Sequence, residues 1–178
     1  MSNFFKRFAE GVAVVGSGFL ILGVVANVAG ARINTSKSIP VGLYWTNDKP
    51  VEKGAYVLFC PPESGVFFDA KERGYIGAGV CPGNFGYMMK RVLAAKNDVI
   101  SVADDGVRVN GGLLPLSAPF GRDKSGRLMP HYRAADFVLG EHQVLLMSDV
   151  SGTSFDGRYF GPVQRSQIKA VITPVITW

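Results

Sequence analysis

Charge is scarce in this chain, and cysteine and histidine are scarcer. Charged residues make up 19% of the 178, with two Cys and two His. A zinc centre needs about four ligands at short, regular spacings, and Cys60, Cys81, His131 and His142 show no such pattern, so no metal is expected. The net charge is only +5. Lys and Arg are scattered rather than run into a stripe with interleaved aromatics, which argues against a nucleic-acid partner. No Gly-x-Ser-x-Gly elbow is present, and both histidines lie in or near one polar stretch, so a Ser-His-Asp triad is not expected. Repeats and low-complexity tracts are absent as well. Glycine is abundant at 22 and proline reaches 10. That mixture fits a β-rich, turn-rich domain and argues against disorder or a helical bundle.

The charge that is missing is missing most completely from Gly11 to Ala31, GVAVVGSGFLILGVVANVAGA, an uncharged run of 21 residues. About 20 apolar residues cross a hydrocarbon core. Lys6 and Arg7 precede the run, so residues 1–10 are expected in the cytoplasm and 32–178 outside, in the periplasm, on a single inner-membrane pass. A cleaved signal peptide competes, because Ala29-Gly30-Ala31 resembles a cleavage site, but the run exceeds a usual signal core. In an oxidising compartment Cys60 and Cys81 read as one disulfide rather than two buried thiols, closing a loop of about 20 residues.

Residues 54–60, GAYVLFC, read as a strand, and 67–73 as a short helix between the cysteines. DVISV and VRVNG alternate at period two around Asp104-Asp105-Gly106, a hairpin signal. Leu116 to Arg133 is polar and punctuated by Gly and Pro, and is expected to be an exposed excursion. QVLLMSDV is a further strand, SGTSFDGRYFGP a turn-rich loop, and IKAVITPVITW a closing strand. One mainly β domain on a single N-terminal transmembrane helix is the expected architecture.

Directly after the apolar run stands NTSKSIPVGLYW, Asn34 to Trp45. A serine hydroxyl there needs a base to take its proton. With histidine disfavoured, lysine remains, provided burial lowers its pKa towards neutrality. Most lysines lie in polar, turn-like surroundings. Lys90 lies between Tyr87-Met88-Met89 and Val92-Leu93-Ala94-Ala95, where it either snorkels to the surface or sits half-buried with a depressed pKa.

Four boxes then occur in a telling order: SKSIPVGLY, MMKRVLAAKNDVISV, VRVNG and SGTSFDGRYFGP. Together they resemble the type I signal peptidase family, the Ser-Lys membrane peptidases. The shortened Ser-Ile-Pro-Val-Gly-Leu-Tyr box, Phe-Cys-Pro-Pro, Cys-Pro-Gly and Phe-Asp-Gly-Arg-Tyr-Phe-Gly-Pro are most similar to the TraF-type branch encoded by conjugative plasmids. The resemblance implies a signal peptidase-like β domain with Ser38 as nucleophile and Lys90 as general base. It implies Ser36 as an oxyanion-hole hydroxyl, Ser154 as a hydrogen-bond partner that aims the lysine amine, and Asp156 with Arg158 as a structural pair. Ser36 is the competing nucleophile, because the box is shortened. Gly54-Ala55, Ser148-Asp149 and Gly157 depart from the family pattern of Gly-Asp, Gly-Asp and serine. The implied activity is pilin maturation without a cofactor: trimming a pilin precursor at its C-terminal side and closing it head to tail. Other pilus-assembly proteins are possible partners. A general type I signal peptidase and a non-catalytic scaffold of the conjugation apparatus are the alternatives.

Overall fold

The apolar run folds as a helix, α1 (Ser2–Val28). In the computed structural model, which describes residues 2–178, no part of its apolar window is buried by protein, and that window has a mean hydropathy of 2.1 over Phe4–Val28. A helix that is apolar all round and bare of protein suits a lipid surround. The helix is not coextensive with the apolar run 11–31: it begins earlier and ends sooner. The helix takes in Lys6, Arg7 and Glu10, and it stops at Val28. Gly30 ends it by adopting φ +109°, where a Cβ would come within 2.4 Å of Thr46 Oγ1. Ala31, which composition assigned to the span, is the first residue of strand β1 (Ala31–Asn34). Arg32 Nη1 turns back and donates to Asn27 O at 2.7 Å, satisfying one of the carbonyls that a helix end leaves free.

Eleven further strands follow: β2 (Gly42–Asn47), β3 (Tyr56–Phe59), β4 (Ala78–Cys81), β5 (Met88–Ala94), β6 (Val99–Ala103), β7 (Gly106–Val109), β8 (Gly112–Leu113), β9 (Ala134–Val138), β10 (Gln143–Met147), β11 (Val163–Gln164) and β12 (Ile168–Thr177). Helix α2 (Gly65–Glu72) precedes β4, and the single turn α3 (Gly157–Phe160) precedes β11. A seven-stranded sheet runs β1-β2-β12-β3-β5-β10-β11, and a four-stranded sheet runs β8-β7-β6-β9. The pairings are antiparallel. The hairpin signal at Asp104-Asp105 turns β6 into β7, with Ala103 opposite Gly106.

β5 is central to the larger sheet and buries every second residue: Met88, Lys90, Val92 and Ala94. The same period two that gives the strand therefore aims Lys90 inward and Arg91 outward. Lys90 pairs with Val57 of β3 across the sheet. Around it Val57, Phe59, Phe67, Phe85, Val92, Leu146, Phe155 and Tyr159 form the main core. Cys60 and Cys81 are joined, as the oxidising-compartment reading expected, and both are buried. The bridge joins the end of β4 to the residue after β3 and closes the loop that carries α2, whose Phe67 and Ala70 are buried.

Residues 116–133 are mostly exposed, as expected, but they are anchored to the domain. Ser117 and Met129 are buried. The Phe120 N–H donates to Tyr159 Oη at 3.0 Å, and Tyr75 Oη donates to Asp123 Oδ2 at 2.5 Å. Polar side chains face water there, while the backbone is tied to the domain at Leu116, Phe120 and Leu128. The expected loop SGTSFDGRYFGP likewise holds the buried turn α3, capped by the Asp156 carboxylate.

Candidate active site

Asn34 closes β1 and is buried with 4% exposure. Its Nδ2 donates to Ser36 O at 2.8 Å and to Ile39 O and Pro40 O at 3.0 Å each. Its Oδ1 accepts from Ser36 N and Oγ, at 3.1 and 2.9 Å. One amide side chain thus clamps the whole turn that presents Ser38. Tyr44 adds a strut by donating to Pro40 O at 2.6 Å, while burial and the neighbouring Tyr56 push its phenol up to about 12. Neither residue was assigned a role in the site from sequence. The Asn-Thr-Ser pattern, whose first side chain bonds to the backbone two residues on, is the local signal that could have marked Asn34.

Lys90 reaches this turn from β5. Its Nζ donates to Ser38 Oγ at 2.7 Å. With 2% exposure it is buried rather than snorkelling. Burial pushes its amine down from 10.5 to about 8, Asp156 opposes the shift, and Arg158 adds to it. Such an amine is neutral in a usable fraction of molecules near neutral pH.

Ser154 enters from the loop after β10, and its Oγ lies 3.3 Å from Ser38 Oγ. This corrects the expected contact with the lysine amine. Among the described residues no hydrogen bond joins Ser154 to Lys90; both approach the Ser38 hydroxyl instead, from different elements. Ser36 Oγ accepts weakly from Ser38 N–H at 3.5 Å and gives its own proton to Asn34. To act on an oxyanion it must turn that proton away from Asn34.

Asp156 and Arg158 are both fully buried. Arg158 Nε donates to Asp156 Oδ1 at 2.8 Å and Nη2 to Oδ2 at 3.0 Å. Arg158 Nη1 also donates to Leu116 O and Gly152 O, at 2.7 and 2.8 Å, while Asp156 accepts from Ser148 N at 3.0 Å. The pair therefore ties three backbone segments behind Ser154. Gly157, a departure from the family's serine, has a local cause: a Cβ would sit 2.6 Å from Leu145 Cδ1 and 3.0 Å from Leu146 O. Arg91, the other half of the Lys-Arg pair, donates to Asp149 Oδ2 at 2.5 Å and to Gly54 O at 2.9 Å. Two of the departing boxes, Gly54-Ala55 and Ser148-Asp149, thus meet on one arginine. Sequence reading did not find this contact.

Two clefts meet at Ser38. A smaller one of about 270 Å³ runs past Asn34, Ser36, Ile76, Met88 and Lys90. A larger one of about 510 Å³ runs past Lys37, Tyr75, Arg122, Ser154 and Phe155. The open hydroxyl at their junction, in contact with a buried amine, is suited to nucleophilic attack on a bound chain. Among the described residues no group of His, Cys, Asp and Glu could hold a metal ion.

A β domain of this topology behind an N-terminal apolar helix, with a serine and a buried lysine in contact, is of the signal peptidase type. The chain belongs to the signal peptidase family, peptidase S26, whose family model matches residues 2–178. It is 68% identical over its whole length to the full length of a plasmid transfer protein TraF from Escherichia coli. It is 33% identical over 97% of its length to 95% of the conjugal transfer protein TraF of Agrobacterium fabrum. Among solved structures, a signal peptidase I from Enterococcus faecalis matches 71% of this chain and 98% of its own at 19% identity, with a TM-score of 0.38.

Proposed function

We propose that this protein is a membrane-anchored Ser-Lys peptidase and acyltransferase of plasmid conjugation, which trims a pilin precursor at its C-terminal side and joins the new end to the pilin's own N-terminus. The observation that carries the reading is the 2.7 Å contact between Ser38 Oγ and the buried Lys90 amine. Membership of the signal peptidase family supports peptidase chemistry, and likeness to proteins named for plasmid transfer supports a role in conjugation. Lys6 and Arg7 ahead of the apolar run support a cytoplasmic N-terminus, and with it an inner-membrane pass that leaves the catalytic domain in the periplasm.

Neutral Lys90 takes the Ser38 proton as Oγ attacks the scissile carbonyl. The Ser38 N–H and the Ser36 hydroxyl, turned from Asn34, hold the oxyanion. Protonated Lys90 gives its proton to the leaving amine as the peptide bond breaks, and an ester on Ser38 remains. An incoming amine, the pilin's N-terminus, then attacks that ester while Lys90 accepts its proton, and Ser38 leaves with a proton returned by Lys90. Holding enzyme and substrate in one membrane lowers the entropy cost of their meeting.

The intact mass of the pilin tests this. Wild-type protein is expected to give a trimmed product one water lighter than the linear peptide, absent with Ser38→Ala and with Lys90→Ala. A trimmed linear product makes the protein a plain peptidase, and normal processing by both variants makes it a scaffold.

A further inference from the structure

The two clefts that meet at Ser38 differ in charge. Among the residues lining the smaller one, Lys90 is the only charged side chain. The larger one is lined by Lys37, Arg122, Lys124 and Arg127 against a single carboxylate, Asp123. That carboxylate is already engaged. It accepts from Tyr75 Oη at 2.5 Å, Arg127 Nε at 2.6 Å, and Ser125 N and Arg127 N at 2.9 Å each. The hydrogen bond from Tyr75, with those from Arg127 and Ser125, holds its carboxyl well below the usual carboxylate range. Arg127 is therefore paired. Lys37, Arg122 and Lys124 are in no ion pair among the described residues. Three uncompensated cations thus share a concave wall with Ser38 and Ser154: Lys37 stands beside the nucleophile, and Arg122 and Lys124 sit on the segment 116–133, which is tied to the core through Phe120 N and Leu116 O.

We propose that this cleft is a subsite for an acidic peptide flank. The substrate residues on one side of the scissile bond carry Asp, Glu or a free C-terminal carboxylate, and these lie against Lys37, Arg122 and Lys124. The proposal deepens the function above and rests on Ser38 being the reacting group. A peptide fits better than an anionic lipid headgroup because the cations line a cleft that opens onto the Ser38 hydroxyl, whereas a lipid surface would call for a flat cationic face. The opposite arm, neutral apart from the reacting lysine, leaves the other flank of the substrate to apolar and small residues. A few solvent-accessible charge contacts together correspond to roughly tenfold in affinity. They weaken at high salt, because the screening length is about 8 Å at physiological ionic strength and about 3 Å at 1 M.

The test uses full-length Ser38→Ala protein in neutral detergent micelles and end-capped synthetic decapeptides. One carries two Glu in its C-terminal half, one carries two Glu in its N-terminal half, and the twin of each carries Gln at the same places. Calorimetric titration is expected to show one of the two acidic peptides binding roughly tenfold tighter than its Gln twin at low salt. The ratio should fall to within about twofold in 1 M salt and with Arg122→Gln/Lys124→Gln added. Arg122→Glu/Lys124→Glu should reverse the preference towards a Lys-bearing peptide. Equal binding of acidic and neutral peptides overturns the proposal, as does a preference that survives the double neutralisation. So does a double variant that loses only its binding to vesicles of anionic lipid. Cleavage by the wild-type protein separates the two readings. Peptides that bind with the charge preference but are never cut overturn the peptidase reading alone, and peptides cut without preference overturn the subsite alone.

Discussion

Replacing Lys90 by Met should make this protein inactive and more stable at neutral pH. The lysine is buried with its pKa lowered from 10.5 to about 8. A lowered lysine pKa means that folding disfavours the charged form. The cost is present in full below the folded value of about 8 and is relieved as pH climbs through the unfolded value of 10.5. At about 1.4 kcal/mol per pKa unit, the cost is about 3 kcal/mol at pH 7 and falls to about 1 kcal/mol at pH 10. Methionine is unbranched and flexible enough to occupy much of the same space beside Val57 and Met88 without the charge. It forfeits the hydrogen bond to Ser38, worth roughly 1 kcal/mol, so the net gain at pH 7 is about 2 kcal/mol. For a chain of this size that raises Tm by roughly 4–8 °C. Thermal melts of the full-length protein in detergent, run at pH 7 and pH 10, measure it. The gain should be clear at pH 7 and gone at pH 10. A variant destabilised at pH 7, or stabilised equally at both, would refute the claim that Lys90 is held against its charged form.

Further outcomes follow from the same contacts. Ser36→Ala should lower kcat by roughly 10²-fold with little change in KM, since an oxyanion donor acts in the transition state; single-turnover kinetics reads it. Because the Ser36 proton rests on Asn34, Asn34→Ala should cost activity through a loosened turn, and should cost stability too, which Ser36→Ala should not. Arg158→Ala leaves Asp156 buried without its partner and should cost about 3–5 kcal/mol in denaturant titration. Cys60→Ser/Cys81→Ser should cost about 3 kcal/mol by the loop-entropy model, a cost that a reductant should reproduce in the wild-type protein.

What could be read from the sequence was local. Lys90 stood out because apolar residues flank its Lys-Arg pair, but that composition left snorkelling and burial both open, and the alternation that buries Met88, Lys90 and Val92 is a property of the folded strand. Asp104-Asp105-Gly106 marked its hairpin because such residues accept the backbone angles of a tight turn. What stayed hidden depended on partners distant in the chain. Nothing near Arg91 announces Asp149, and nothing near Asp123 announces Tyr75. Residues 116–133 have the composition of a surface loop, yet Arg158 and Tyr159 fasten their backbone and make them a wall of the larger cleft. Composition runs the apolar stretch on through Ala29-Gly30-Ala31, whereas the helix ends at Val28, ahead of the positive backbone angle of Gly30. Ser154 was expected against the lysine and instead faces the nucleophile, a matter of ångströms that spacing along a chain does not encode.

The most direct test of the account is the pH dependence of the acylation rate at Ser38, measured in single turnovers of a pilin peptide by full-length wild-type protein. The rate should rise with pH and level off with a midpoint of about 8, because the base is the neutral Lys90 amine. Lys90→Arg, which keeps the charge and cannot give up its proton, should show no acylation at any pH. A rate flat from about pH 6 to 9, or an active Lys90→Arg protein, would contradict the assignment of Lys90 as the base.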